Sequence, residues 1–167
     1  MSETVAEAGC RRHLFARKKG GLEVGKTKKG KGTKLMLMTD GQGVPMSAMT
    51  TSAQDAEVNT IETLVDVRML KKCPRRLLYD KAADADWLRD TLQKRGIEQI
   101  TPHRSGRKRD SRQDGRALRR YRHRWKIERT ISWLQYQRRL LVRHERHAHL
   151  FEGFAHLACM ILCLRWF

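Results

Sequence analysis

Residues 33–50 read Thr33-Lys34-Leu35-Met36-Leu37-Met38-Thr39-Asp40-Gly41-Gln42-Gly43-Val44-Pro45-Met46-Ser47-Ala48-Met49-Thr50. The unbroken apolar run Leu35 to Met38, bounded by polar and turn residues, has the length and pattern of a buried strand. Gly41-Gln42-Gly43 is a hairpin signal, and Val44 to Thr50 returns as a second strand. Pro45 has no N–H to give a ladder, which favours the edge of the sheet or the first positions of the strand. Working outward, Ser52 is a candidate N-cap for a helix reaching about Asp66, with Ala56, Val58, Ile61, Leu64 and Val65 at helical spacing. After Pro74, Arg76 to Asp80 (RLLYD) is a short strand ending in an acid. Ala83 to Arg95 is a helix with Trp87, Leu88 and Leu92 on one face, stopped by Gly96, and Ile97 to Thr101 is a further strand ended by Pro102. Residues 103–115 are basic and turn-rich. Arg116 to about Arg146 is one long helix or two joined ones, with Ile127, Trp133, Leu134 and Leu141 on its apolar side, and His149 to Phe167 is an apolar closing helix. Strands that alternate with helices and then give way to helices describe an α/β fold with C-terminal helices.

The chain has 167 residues and a formal net charge of +18. Residues 1–34 hold ten basic and three acidic residues, net +7; residues 35–101 hold nine and ten, net −1; residues 102–147 hold sixteen and four, net +12. A neutral centre between two basic segments describes a folded core with two surfaces for a polyanion, and phosphate neutralisation makes such binding steeply salt-dependent. Its most apolar stretch, Ala155 to Leu164, is interrupted by His156 and falls short of the roughly 20 residues a bilayer span needs, so no membrane partner is expected. Met1 to Cys10 is acidic and lacks the apolar core of a secretory signal. Cys10, Cys73, Cys159 and Cys163 are irregularly spaced and form no disulfide framework, which suits a cytoplasmic protein.

Three local patterns have bland readings. Gly25-Lys26-Thr27 echoes a phosphate-binding loop, but no strand precedes it and no apolar helix follows, so a basic loop touching phosphates is preferred. His144, His147, His149 and His156 with Cys159 and Cys163 invite zinc, yet both cysteines sit in an apolar helix as small core residues. The tryptophans lie at helical spacing beside Leu and Ile, which favours burial; Trp125, inside the basic stretch, is the one placed to stack on a base.

Two acids stand apart. Asp80 ends a buried strand, at the edge where α/β sheets place functional groups. Glu128 is the only acid between Gly115 and His144, and on a helix it shares a stripe with Tyr121, Arg124 and Gln135. An ordinary ion pair with Arg124 accounts for Glu128 equally well.

These residues carry a resemblance. Lys18-Lys19-Gly20-Gly21 followed by Val24 to Lys34 (VGKTKKGKGTK) resembles the DDE transposases of bacterial insertion sequences. Asp80-Lys81-Ala82-Ala83-Asp84 resembles their DKAYD block, with Ala83 in place of the usual Tyr. Arg119 to Arg129 (RRYRHRWKIER) resembles their C-terminal signature of Tyr, two residues, Arg, three residues, Glu; seven positions beyond Glu128, Gln135 replaces the usual Lys or Arg. The resemblance implies a ribonuclease-H-like core, a mixed sheet with flanking helices. It also implies DNA transposition by two-metal phosphoryl transfer, with three carboxylates holding Mg²⁺. Asp80 and Glu128 would be the second and third catalytic and metal-binding acids. Lys26, Lys28, Lys29, Lys31, Arg119, Arg120, Tyr121, Arg122, Arg124 and Lys126 would contact DNA, with Tyr121 and Arg124 also able to brace Glu128. Expected partners are double-stranded transposon ends, a missing N-terminal part of the transposase and a second copy of the chain; the expected location is cytoplasmic, on the nucleoid.

One departure matters. In the family the first Asp lies on the first strand, about ten residues before the Gly-Gly that Gly20 and Gly21 match. Here Cys10 to Phe15 contains no acid. Residues 1–17 are read as poorly ordered and residues 18–167 as a catalytic-core-like domain lacking its first strand, either one frame of a split gene or a remnant. Asp40 could stand in for the first acid, but its position suits the turn it opens. The chain is therefore expected to bind DNA and to cleave it weakly or not at all. The competing reading is a non-enzymatic basic DNA- or RNA-binding protein.

Overall fold

The computed structural model describes residues 7–16, 21, 23–27, 30–69, 73–106, 108 and 110–165. The stretch 33–40 lies in β3 (Gly30–Thr39), which pairs antiparallel with β4 (Pro45–Ser52). Pro45 stands at the first position of β4, where its missing N–H costs least. Asp40 closes the turn. Its Oδ1 accepts from Gln42 N at 2.8 Å and Val44 N at 2.9 Å, the local geometry that makes Asp a turn former.

The other edge of β3 pairs antiparallel with β1 (Glu7–Ala16), from Gly9 opposite Thr39 to Ala16 opposite Gly32. This corrects the expectation of a poorly ordered segment through residue 17 and a missing first strand. Residues 7–16 form the middle strand of the sheet; residues 1–6 and 17 lie outside the described residues. β1 runs parallel to β5 (Arg76–Leu78), and β5 parallel to β6 (Glu98–Ile100). A short β2 (Gly25–Thr27) continues the outer edge of β3 beyond β4. The sheet order is β4-β3-β1-β5-β6, antiparallel on one side of β1 and parallel on the other.

Strand parity sends alternate residues of β3 to opposite layers. Met36 and Met38 join Leu77 and Tyr79 under α1 (Ile61–Asp66) and α2 (Asp86–Lys94), against Ile61, Leu64, Leu88 and Leu92. Leu35 and Leu37 join Phe15 on the other face, under α4 (Trp125–Gln135), α5 (Arg138–Leu141) and α6 (Ala148–Leu164). A short α3 (Gly115–Leu118) lays Ala117 and Leu118 on Leu78 and Ile100, and a 3₁₀ stretch, Arg119–Arg124, links it to α4.

Several boundaries differ from the sequence expectation. Ser52 is the last residue of β4 rather than a helix cap, and a turn and a 3₁₀ segment (Glu57–Asn59) intervene before α1. The helix expected over 83–95 starts at Asp86 and ends at Gly96 (φ 74°); there Gly96 N and Ile97 N close back on Gln93 O and Leu92 O, both at 2.9 Å. Trp87 is exposed. The long helix is broken into α3, the 3₁₀ stretch, α4 and α5, and it is Leu140, not Leu141, that is buried.

The free edge of β4 is covered by α6. His156 Nε2 donates to Ala48 O (2.9 Å), and Glu152 Oε2 accepts from Thr50 N (3.1 Å) and Thr50 Oγ1 (2.6 Å), so polar side chains satisfy a strand edge that would otherwise recruit another strand. Its outward side leaves Leu150, Leu157, Met160, Ile161 and Leu164 exposed. No helix among the described residues is long and apolar enough to cross a membrane.

Replacing Leu37, fully buried between β3 and α4, with Ala should cost about 3 kcal/mol in urea unfolding. Leu141→Ala, on an exposed side chain, should stay within about 0.5 kcal/mol of the parent. Cys159 provides a chemical check of the same layer. Burial, with Cys163 adding to it, pushes its thiol up from 9.0 to about 12. It therefore stays protonated at pH 8 and should resist alkylation until the chain unfolds, whereas exposed Cys73 should label at once; mass spectrometry of labelled peptides distinguishes them.

Candidate nucleic-acid interface

Gly9 of β1 is where α4 meets the sheet. A Cβ at this position would lie 3.2 Å from both Ile127 Cβ and Ile127 Cγ2, so the absence of a side chain lets the helix sit directly on the strand. A second anchor lies one flank over. Lys126 Nζ donates to Gly41 O (2.6 Å), Arg129 Nη2 to Gln42 O (2.8 Å) and Thr130 Oγ1 to Gly43 O (2.6 Å). All three carbonyls of the Gly-Gln-Gly turn are thus taken by one side of α4, which fixes the helix in rotation as well as in height. Neither anchor was legible in the sequence: Gly9 is a lone glycine, and Thr130 is one polar residue at a helical position.

With the helix so fixed, the opposite flank of α4 carries Glu128 and Gln135, and the 3₁₀ stretch before it brings Arg124 and Tyr121 to the side of Glu128. Arg124 Nη2 lies 2.7 Å from Glu128 Oε1, and the Arg124 guanidinium stands over the Tyr121 ring at 5.1 Å. The simple ion pair is therefore present. Glu128 also occupies the first turn of α4, where the helix dipole favours an acid.

Asp80 follows β5 in extended backbone (φ −77°, ψ 178°), and its Oδ1 accepts from Ala82 N at 2.8 Å, capping the 3₁₀ turn Lys81–Ala83. Leu77 and Tyr79 face α1 and α2, whereas Leu78 faces α3. By parity Asp80 shares the face of Leu78, the face that also carries α4 and Glu128. Asp80 and Glu128 thus lie on one side of the sheet, each half-exposed and each held by a local partner. Tyr79 is anchored on the other side, its hydroxyl donating to buried Glu57 Oε2 at 2.8 Å.

The acids that could complete a cluster lie elsewhere. Glu7 pairs with Arg76, four residues back along β5 from Asp80, a separation of about 13 Å along the strands. Asp40 spends Oδ1 on its turn. Among the described residues, no group of three His, Cys, Asp or Glu is arranged to hold a metal ion.

The basic residues divide into two kinds. Lys26 and Lys31 are exposed and stand opposite each other in the β2–β3 ladder, a like-charge pair that a bound anion would relieve. Lys28 and Lys29 lie outside the described residues. Arg119 and Arg122 are exposed on the 3₁₀ stretch, with Arg120 and Tyr121 half-buried. Lys126 is held by the turn and Arg124 by Glu128, so these two, expected on DNA, are engaged within the protein. Arg129 is sandwiched by Trp125 (5.0 Å) and Trp133 (4.7 Å), which gives exposed Trp125 a cation to stack on. The basic, turn-rich loop that follows β6 exposes two further cations, Arg104 and Lys108.

Known proteins share this fold. The chain is 33% identical over 140 residues to the "Putative transposase for insertion sequence element IS402" of Burkholderia cepacia, covering 79% of this chain and 63% of the relative's length. Among solved structures, the piggyBac transposase synaptic complex with hairpin DNA superposes with a TM-score of 0.61 at 12% identity, over 93% of this chain and 45% of that one. The catalytic core domain of BIV integrase superposes with a TM-score of 0.56 at 8% identity, over 94% and 82%. A simian T-cell lymphotropic virus intasome in complex with a PP2A regulatory subunit gives 0.54 at 12% identity, over 93% and 47%. At such identities these structures speak for the fold alone, which is ribonuclease-H-like. The family profile described as "Transposase DDE domain" matches residues 10–164. The chain therefore belongs to the transposase DDE domain family.

Proposed function

We propose that the chain is the DNA-gripping core of an insertion-sequence transposase, which holds duplex transposon ends against the face bearing Asp80 and Glu128 and does not cleave them by itself. Support for the first half is the family together with exposed basic residues: Lys26 and Lys31 on the β2–β3 ladder, joined in sequence by Lys28 and Lys29, and Arg119 and Arg122 with half-buried Arg120 on the 3₁₀ stretch that leads into α4. Tyr121 and Arg124 brace Glu128. Such a protein would reside with the nucleoid.

The second half rests on one observation, the lack of an acid in Cys10 to Phe15 of the strand beside Asp80. The family's chemistry uses divalent metal, and a metal pair needs several hard oxygen donors. Asp80 and Glu128 are two such donors, and each already holds a turn amide or an arginine. This donor set does not fit a metal pair, and no hydrolytic step is assigned to it. The reading differs from a ribosomal or general nucleoid binder by ancestry and by the two acids kept within a positive surface.

The purified chain should bind a terminal-repeat duplex in fluorescence anisotropy, with log K falling linearly against log salt at a slope of about −4.5 for five phosphate contacts. In the same buffer with Mg²⁺ it should leave the duplex intact. Mg²⁺-dependent nicking that disappears in Asp80→Ala would overturn the inactive half of the proposal, and a flat salt dependence would overturn the DNA-gripping half.

A further inference from the structure

The loop from Thr101 to Asp114 leaves the sheet at the end of β6, and its base is level with Asp80. Leu78 pairs with Ile100 at the ends of two adjacent parallel strands, so the chain leaves β5 towards Asp80 and β6 towards Pro102 from the same edge of the sheet. The loop is tied down at both ends by α2 and the turn before it. At its start, Asp84, whose side chain is 4% exposed, accepts from Arg104 N at 2.9 Å and sits 3.5 Å from His103 Nδ1. Arg89 of α2 lies 3.4 Å from the same carboxylate, donates to Gln99 O at 3.0 Å and donates to Gln113 Oε1 at 3.1 Å. At the far end, Gln113 Oε1 also accepts from Thr101 N (3.0 Å), which closes the loop on itself, and Arg112 pairs with Asp90 (2.9 Å) and approaches Asp86 (4.0 Å). Between these ties the chain exposes Arg104, Ser105, Gly106 and Lys108.

Asp84, Asp86 and Asp90 thus engage the two ends of a segment whose sequence carries Arg104, Arg107, Lys108 and Arg109 against one acid, Asp110. Left free, a loop of this composition would repel itself and would have to be ordered on binding; held in place, it presents cations to a phosphate backbone without that entropic cost. We propose that Arg104, Ser105, Gly106 and Lys108 belong to a second DNA-contacting arch beside Asp80, and that Asp84 is the positioning residue that sets it. This inference rests on the DNA-gripping reading above and adds an element to it.

The test compares binding of a random-sequence duplex by the full chain and three variants across about 50 to 200 mM salt. Arg104→Ala with Lys108→Ala, both on exposed side chains, should make the log–log salt slope shallower by about two. Asp84→Asn removes a negative charge, so bulk electrostatics predicts tighter binding, whereas a positioning role predicts affinity about tenfold weaker. Asp84→Glu should recover part of that loss. Failure of the parent chain to bind would overturn the DNA-gripping reading itself. A parent that binds, with an unchanged slope in the Arg104/Lys108 double variant, would overturn the arch alone, and Asp84→Asn binding as tightly as the parent or more tightly would overturn the role of Asp84.

Discussion

The structure depends on β3 being apolar on both faces. Leu35 and Leu37 require a helical layer on one side and Met36 and Met38 require another, so the sheet must be sandwiched. At roughly 25 cal/mol per Å² of apolar surface, burial of these four side chains outweighs any preference of the surrounding polar segments. The remaining elements answer that demand. α1 and α2 cover the methionines, while α4 and α6 cover the leucines, and α6 also closes the exposed edge of β4 with His156 and Glu152.

The same sandwich makes the face that bears Asp80 and Glu128. Because α4 must cover Leu35 and Leu37, it crosses β1 at Gly9, and the turn that joins β3 to β4 holds it through Lys126, Arg129 and Thr130. The flank left over carries Glu128 with Arg124. Strand parity brings Asp80 to that face, and the register of β5 with β6 brings the basic loop alongside. Core packing thus decides which charged residues share a surface, and the chemistry of that surface follows from which of them have partners.

Much of this was legible from residues 33–50 and from the spacing of the apolar positions: the central hairpin, the Pro45 strand start, the short strand that leads to Asp80, the helix stopped by Gly96 and the apolar closing helix. β1 was not. Its residues, Glu7-Ala-Gly-Cys-Arg-Arg-His-Leu-Phe-Ala16, show neither alternation nor an apolar run, and the strand exists because β3 and β5 offer ladders on both edges. Propensity cannot register a strand made by its neighbours. The breaks around Tyr136 and Gln137 escaped for a similar reason, since apolar spacing continues across them. At the site, Asp80 and Glu128 were visible as rare acids in a basic setting, and the Arg124 pair as an alternative. The spending of Lys126 on a turn 85 residues away was not, because only the folded chain brings the two together.

The account turns on the position in β1 nearest Asp80. Continuing the ladder two residues past Gly9–Leu78 puts the backbone of residue 11 in register with Asp80. Calorimetric titration of Mn²⁺ into the parent chain and into Arg11→Asp tests it directly. The account predicts no specific site in the parent, a site in Arg11→Asp, and loss of that site when Asp80→Asn is added. Stoichiometric Mn²⁺ binding by the parent chain, abolished by Asp80→Asn, would contradict it.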